Sequence, residues 1–127
     1  MKIRIEENAV RYRLRKSEVE KLSREGAVVC HSRFPEGSLH YALRLDPAAK
    51  GMSASFAHGT ITITLPEAWG LAWPASDEVG FEAAQILEDG THLELLVEKD
   101  FICLDRDPDM QQDQYPHPKS EGGEAAC

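Results

Sequence analysis

Much that would identify an enzyme or a membrane protein is missing from this sequence. Its 127 residues hold three cysteines, Cys30, Cys103 and Cys127, widely spaced and without a C-x-x-C pair. An odd, scattered set is no disulfide framework, and reduced thiols fit a cytoplasmic location best. Apolar runs stay under 10 residues, too short to cross a bilayer, and the alternating N-terminus has no signal-peptide core. No P-loop, Gly-rich dinucleotide turn or Gly-x-Ser-x-Gly elbow occurs. Basic residues are in deficit, with 14 Lys and Arg against 22 Asp and Glu, a formal net charge of -8. That balance argues against general binding to a nucleic acid backbone. Aromatics are only 7%.

The charge that is present is segregated. Residues 1–50 carry 11 Lys and Arg against 7 Asp and Glu, whereas residues 51–127 carry 3 against 15. The simplest expectation is that the basic half and the acidic half fold onto each other, because opposite charges across strands are a common stabilising pair.

Hydropathy alternates with a period of two through most of the chain, the mark of half-buried strands. Ile3 and Ile5, then Val10, Tyr12 and Leu14, alternate with charged residues on either side of Glu7-Asn8-Ala9. Ser17 and Glu20 have capping-box spacing and predict a short helix from Ser17 to about Arg24, ended near Gly26. Ala27–Arg33 and Leu39–Leu45 flank a Pro-Gly turn. Met52–Phe56 and Thr60–Leu65 flank His58-Gly59, a tight-turn pair. Pro66 opens a second short helix carrying Trp69 and Trp73, a pair at helical spacing that reads as the lid of a core, and Pro74 closes it. Phe81–Leu87 and His92–Val97 flank Glu88-Asp89-Gly90. The expected fold is α+β, a curved antiparallel sheet or open barrel of about eight strands with two short helices. No internal repeat with a period of about 20 to 50 residues is evident. Residues 1–103 read as one domain. Residues 104–127, with three Pro, two Gly and six acids, read as an acidic tail that is a loop or disordered unless something pins it.

Particular stretches carry a resemblance. They are Met1-Lys2-Ile3-Arg4-Ile5, Arg11-Tyr12-Arg13-Leu14, Leu65-Pro66 through Trp73, Asp77-Glu78-Val79-Gly80, Val97 through Leu104, and Tyr115-Pro116-His117-Pro118. Together they resemble a family of small bacterial proteins classed only as a domain of unknown function. The resemblance spans nearly the whole chain. It implies a bacterial cytoplasmic protein and supplies no substrate or catalytic residue.

Two constellations could carry function. Arg11, Arg13 and Arg15 share one strand face, with Lys2 and Arg4 opposite them. Five cations on one hairpin could hold a small anionic ligand or an acidic protein segment. This favours a non-enzymatic binding module with no cofactor. The alternative is a metal-binding protein, even a metal-dependent enzyme, in which Cys103, His117 and Cys127 hold zinc or another transition metal. Asp105, Asp107, Asp109 and Asp113 follow a calcium-loop spacing but lack its glycine and terminal glutamate. Cys30 and His31 are adjacent on a strand and so point to opposite faces. Open sheet edges also allow a homodimer.

Overall fold

The computed structural model describes residues 1–101 and 112–116. Eight strands and two short helices follow in the order β1 (Lys2–Glu6), β2 (Ala9–Leu14), α1 (Lys16–Glu25), β3 (Ala27–Phe34), β4 (Gly37–Asp46), β5 (Ser53–Ala57), β6 (Thr60–Pro66), α2 (Glu67–Ala72), β7 (Gly80–Ile86) and β8 (His92–Lys99). A 3₁₀ turn, Trp73–Ala75, extends α2. The α+β expectation holds, but the single antiparallel sheet or open barrel does not. The strands form two separate four-stranded sheets, ordered β1-β2-β8-β7 and β3-β4-β6-β5, and neither closes into a barrel.

Each sheet is mixed. The hairpins β1–β2, β3–β4, β5–β6 and β7–β8 are antiparallel, as their tight turns demand. At the centre of each sheet, however, two hairpins join side by side in parallel, β2 with β8 and β4 with β6. Local turn chemistry cannot reveal such pairs, because the partners are far apart in sequence.

The alternation of the sequence now has a physical cause. Tyr12, Leu14, Leu43, Ile63, Leu65, Leu95 and Val97 face inward and are almost completely buried between the sheets. Tyr12 packs its ring against Tyr41, centroids 6.1 Å apart, and donates its hydroxyl to the Ile61 carbonyl at 3.1 Å. Helix α1 adds Val19 and Leu22, and α2 leads into Trp73, all buried. Losing any one of these large side chains would cost about 2–5 kcal/mol.

The two halves of the chain repeat one another, a feature that residue identities conceal. Adding 51 carries the pair Ile3↔Tyr12 onto Ala54↔Ile63, and Glu6↔Ala9 onto Ala57↔Thr60. The same shift carries Glu7, with a φ of 49°, onto His58, with a φ of 51°. Buried Leu14 and Leu22 land on buried Leu65 and Trp73. After the helices the shift grows, so that Val28↔Leu43 corresponds to Phe81↔Val97. Loop bonds repeat as well: the His40 N–H donates to the Gly59 carbonyl at 2.9 Å, as the Glu94 N–H does to that of Asn8 at 3.0 Å. The chain is therefore two hairpin–helix–hairpin units, each contributing one hairpin to each sheet. Only Gly59 of the two turns supplies a glycine, at φ 72°, where a left-handed backbone costs it nothing.

Helix α1 is capped two residues earlier than the Ser17–Glu20 spacing suggests. Arg15 is its N-cap, and Glu18 reaches back to the Arg15 N–H at 3.0 Å. The remaining orphan donors are met from the other end of the chain. Asp113 accepts from the Ser17 N–H at 3.0 Å and from its hydroxyl, and the Asp113 carbonyl accepts from the Lys16 N–H at 2.9 Å. The tail is thus pinned at 112–116. Trp69 and Trp73 part company: Trp73 is 1% exposed and Trp69 36%. No helix among the described residues is long and apolar enough to cross a membrane.

Candidate functional site

Of the five cations singled out on the first hairpin, Lys2, Arg4, Arg11 and Arg13 share the outer face of the first sheet, but all four are engaged by this chain's own acids. Strand β8 runs beside β2 and sets Glu98 opposite Arg13. Glu98 Oε1 accepts from Arg11 Nε at 2.6 Å and from Arg13 Nε at 2.9 Å. The Glu98 side chain is only 14% exposed, so the three groups form one half-buried cluster. Lys2 Nζ lies 2.9 Å from Asp100 Oδ2, and the amide of Gln114 donates to the same oxygen at 2.8 Å. Arg4 meets Glu6 at 3.4 Å in an exposed pair, and Arg15 serves as the helix N-cap. The contacts of Arg11 and Arg13 with Glu98 and of Lys2 with Asp100 join the basic half to the acidic half, whereas Arg4–Glu6 lies within the basic half. A groove of about 480 Å³ crosses this face near Arg4 and Arg11, but Glu6, Glu82 and Glu94 line it too.

The second sheet turns a different face outward. Alternation along β3 and β4 brings His31, Arg33, Ser38, His40 and Arg44 to its outer side, because Val28, Cys30, Tyr41 and Leu43 point into the core. On β5 and β6 the same face holds Ser53, Ser55, Thr60, Thr62 and Thr64, whose strand neighbours Ala54, Ile61, Ile63 and Leu65 face the core. Arg33, Arg44 and His31 are exposed and His40 is half-buried. His31 and His40 are direct cross-strand partners, their rings stacked 5.6 Å apart. Arg33 pairs with Ser38, six residues before Arg44, so the cationic row is about 20 Å long at strand rise. Among the described residues no ion pair engages Arg33 or Arg44, in contrast to Lys2, Arg4, Arg11 and Arg13. Among the described strand residues of this face the carboxylate is that of Asp46, at the far end of β4, and its side chain is engaged with the Ala48 N–H at 2.8 Å.

Sequence reasoning passed over these residues because they do not cluster along the chain. Arg33 and Arg44 lie on different strands, and five hydroxyls come from a hairpin that joins them only through the parallel β4–β6 pair. The available signal was the alternation of Thr60, Thr62 and Thr64 with apolar neighbours.

Cys103, His117 and Cys127 lie outside the described residues, as do Asp105, Asp107 and Asp109. Among the described residues no group of three His, Cys, Asp or Glu side chains is placed to hold a metal ion. Cys30 lies half-buried on the inner face of β3 and His31 on the outer one, as strand geometry requires. Burial raises the hydroxyls of Tyr12 and Tyr41. Burial also lowers Lys99, whose ammonium donates to the Ser76 carbonyl at 2.7 Å and lies over the Tyr115 ring.

No curated protein and no solved structure is found to be similar to the chain. A family model does match it, over residues 1–119, and the chain therefore belongs to that family, a family of unknown function (DUF7009).

Proposed function

We propose that this protein is a non-enzymatic binding module of the bacterial cytoplasm that holds an acidic segment of a partner protein on the outer face of its second sheet. The observation that carries this reading is the contrast between the two sheets. The cations of the first hairpin are matched by Glu98, Asp100 and Glu6, whereas Arg33 and Arg44 have no ion-pair partner among the described residues. A protein of net charge -8 with one face that holds few carboxylates among the described residues has a surface suited to an anion. Arginine provides planar, bidentate donors to carboxylates. The flanking hydroxyls add donors without adding charge. A nucleic acid is the less suitable partner, because the large negative total repels a long polyphosphate.

The test is fluorescence anisotropy with a labelled glutamate-rich peptide and, for comparison, a labelled single-stranded oligonucleotide. The peptide should bind with an affinity that falls as salt rises. Arg33→Glu with Arg44→Glu should abolish binding and leave the melting temperature nearly unchanged. Binding unaffected by that double substitution, or binding of the oligonucleotide alone, would sink the proposal.

A further inference from the structure

The largest departure between the two halves of the chain lies between α2 and β7. In the first half α1 runs on to Glu25 and Gly26 caps it directly before β3. In the second half α2 stops at Ala72, the chain passes through a short 3₁₀ segment that contains Pro74, and residues 76–79 form neither helix nor strand before β7. The shift relating the halves widens here from 51 to 53, since Leu22 maps to Trp73 but Val28 maps to Phe81, so the second unit has two extra residues at this place.

The departure opens a groove of about 870 Å³ along edge strand β7. One wall is aromatic. Trp69 stacks on Phe81 with centroids 5.1 Å apart and planes 22° from parallel, and Phe81 in turn packs against buried Trp73 at 5.1 Å. Trp73 is fixed by its indole N–H, which donates to the Glu78 carbonyl at 2.8 Å. Trp69 is thus held in place from behind while 36% of its surface stays exposed. Its counterpart in the first half is Glu18, which serves the cap of α1. Gly80 forms the floor, where a Cβ would lie 2.3 Å from the Val97 carbonyl oxygen, so β7 can hug β8 only without a side chain there.

The rim of this groove is acidic. Asp77, Glu78 and Glu82 are exposed and line it, and Glu98 is already taken by Arg11 and Arg13. A further nearby cation, Lys99, is buried and bound to the Ser76 carbonyl. Among the described residues Arg11 and Arg13 are committed to Glu98 and Lys99 to the Ser76 carbonyl, so the exposed carboxylates of Asp77, Glu78 and Glu82 give the rim its negative character.

We infer that this groove receives an arginine side chain of a partner polypeptide. The guanidinium would stack on the exposed indole of Trp69, and Asp77, Glu78 and Glu82 would supply the counter-charge. An indole is the best aromatic partner for a cation, and arginine uses it more often than lysine does. The backbone edge of β7 would let an extended segment lie alongside. This site is opposite in charge to the face of the second sheet and does not depend on the reading given for that face.

The experiment is an anisotropy titration of the full chain with a fluorescein-labelled arginine-rich peptide at low salt, beside its lysine analogue. The arginine peptide should bind more tightly than the lysine peptide. Trp69→Ala should weaken arginine binding about five- to tenfold, and Asp77→Asn with Glu78→Gln should weaken it at least as much. The second variant leaves the aromatic wall intact, so a loss there cannot be ascribed to misfolding of the stack. Equal affinity for the two peptides, or binding indifferent to both variants, would overturn the assignment. So would light scattering that shows self-association abolished by Arg33→Glu with Arg44→Glu, since the occupant would then be a second copy of the chain.

Discussion

Reversing two charges on the first hairpin discriminates internal glue from a free binding row. In Arg11→Glu with Arg13→Glu, Glu98 loses two charge-assisted hydrogen bonds of 2.6 and 2.9 Å. Each is worth about 1.5 kcal/mol at the half-buried end of the range. The substitution also sets three carboxylates within one cluster. Each repulsive pair at about 4–5 Å costs about 1 kcal/mol in a well-solvated setting and about 3–4 kcal/mol near the protein surface. Solvent reaches Arg11 at 28% and Arg13 at 19%, so the lower part of that range applies. The sum is a loss of about 6 kcal/mol, a large share of the 5–15 kcal/mol typical of a domain. Urea unfolding followed by circular dichroism measures it. Adding Glu98→Arg to the reversed pair should recover most of the loss, since the signs then complement again, and this double-mutant logic isolates the pairing from any effect on the unfolded chain. A reversed hairpin as stable as the natural one would show that the arginines do not hold β2 to β8, and the case for the second sheet as the free cationic face would fall with it.

Two further outcomes follow from the contacts described. Asp113→Ala should cost about 1 kcal/mol, the usual worth of a helix N-cap, and hydrogen exchange should quicken in the first turn of α1, while exchange in β6 stays as before. Alkaline pH should destabilise the fold through Tyr12. Burial raises its hydroxyl above the ordinary 10.0, so above about pH 10 the unfolded chain releases a proton that the folded chain keeps. Stability is therefore full below pH 10 and declines by up to about 1.4 kcal/mol per pH unit beyond it. Lys99, lowered by burial from 10.5, works in the opposite sense below that value, where stability gains as pH rises. Tyr12→Phe should flatten the alkaline decline in a pH series of urea melts; an unchanged slope would refute the assignment.

The sequence by itself determined the local elements. Apolar residues at every second position specify which face of each strand is buried, and His58-Gly59 and Asp89-Gly90 specify turns, because those preferences depend only on a few neighbouring residues. The segregation of charge also announced that the two halves would meet. Tertiary structure alone decided the rest. The parallel joining of β2 to β8, as in Val10↔Leu95, and of β4 to β6, as in Tyr41↔Ile61, rests on contacts beyond the reach of any local turn, and it accompanies a division of the one expected sheet into two. That joining places Glu98 between Arg11 and Arg13 and so neutralises the most conspicuous basic cluster. It also gathers Arg33, Arg44 and a row of hydroxyls from two separate hairpins onto one face. The repeat was hidden for the same reason, since packing preserves position and burial while Leu22 and Trp73, or Glu18 and Trp69, share no side-chain identity.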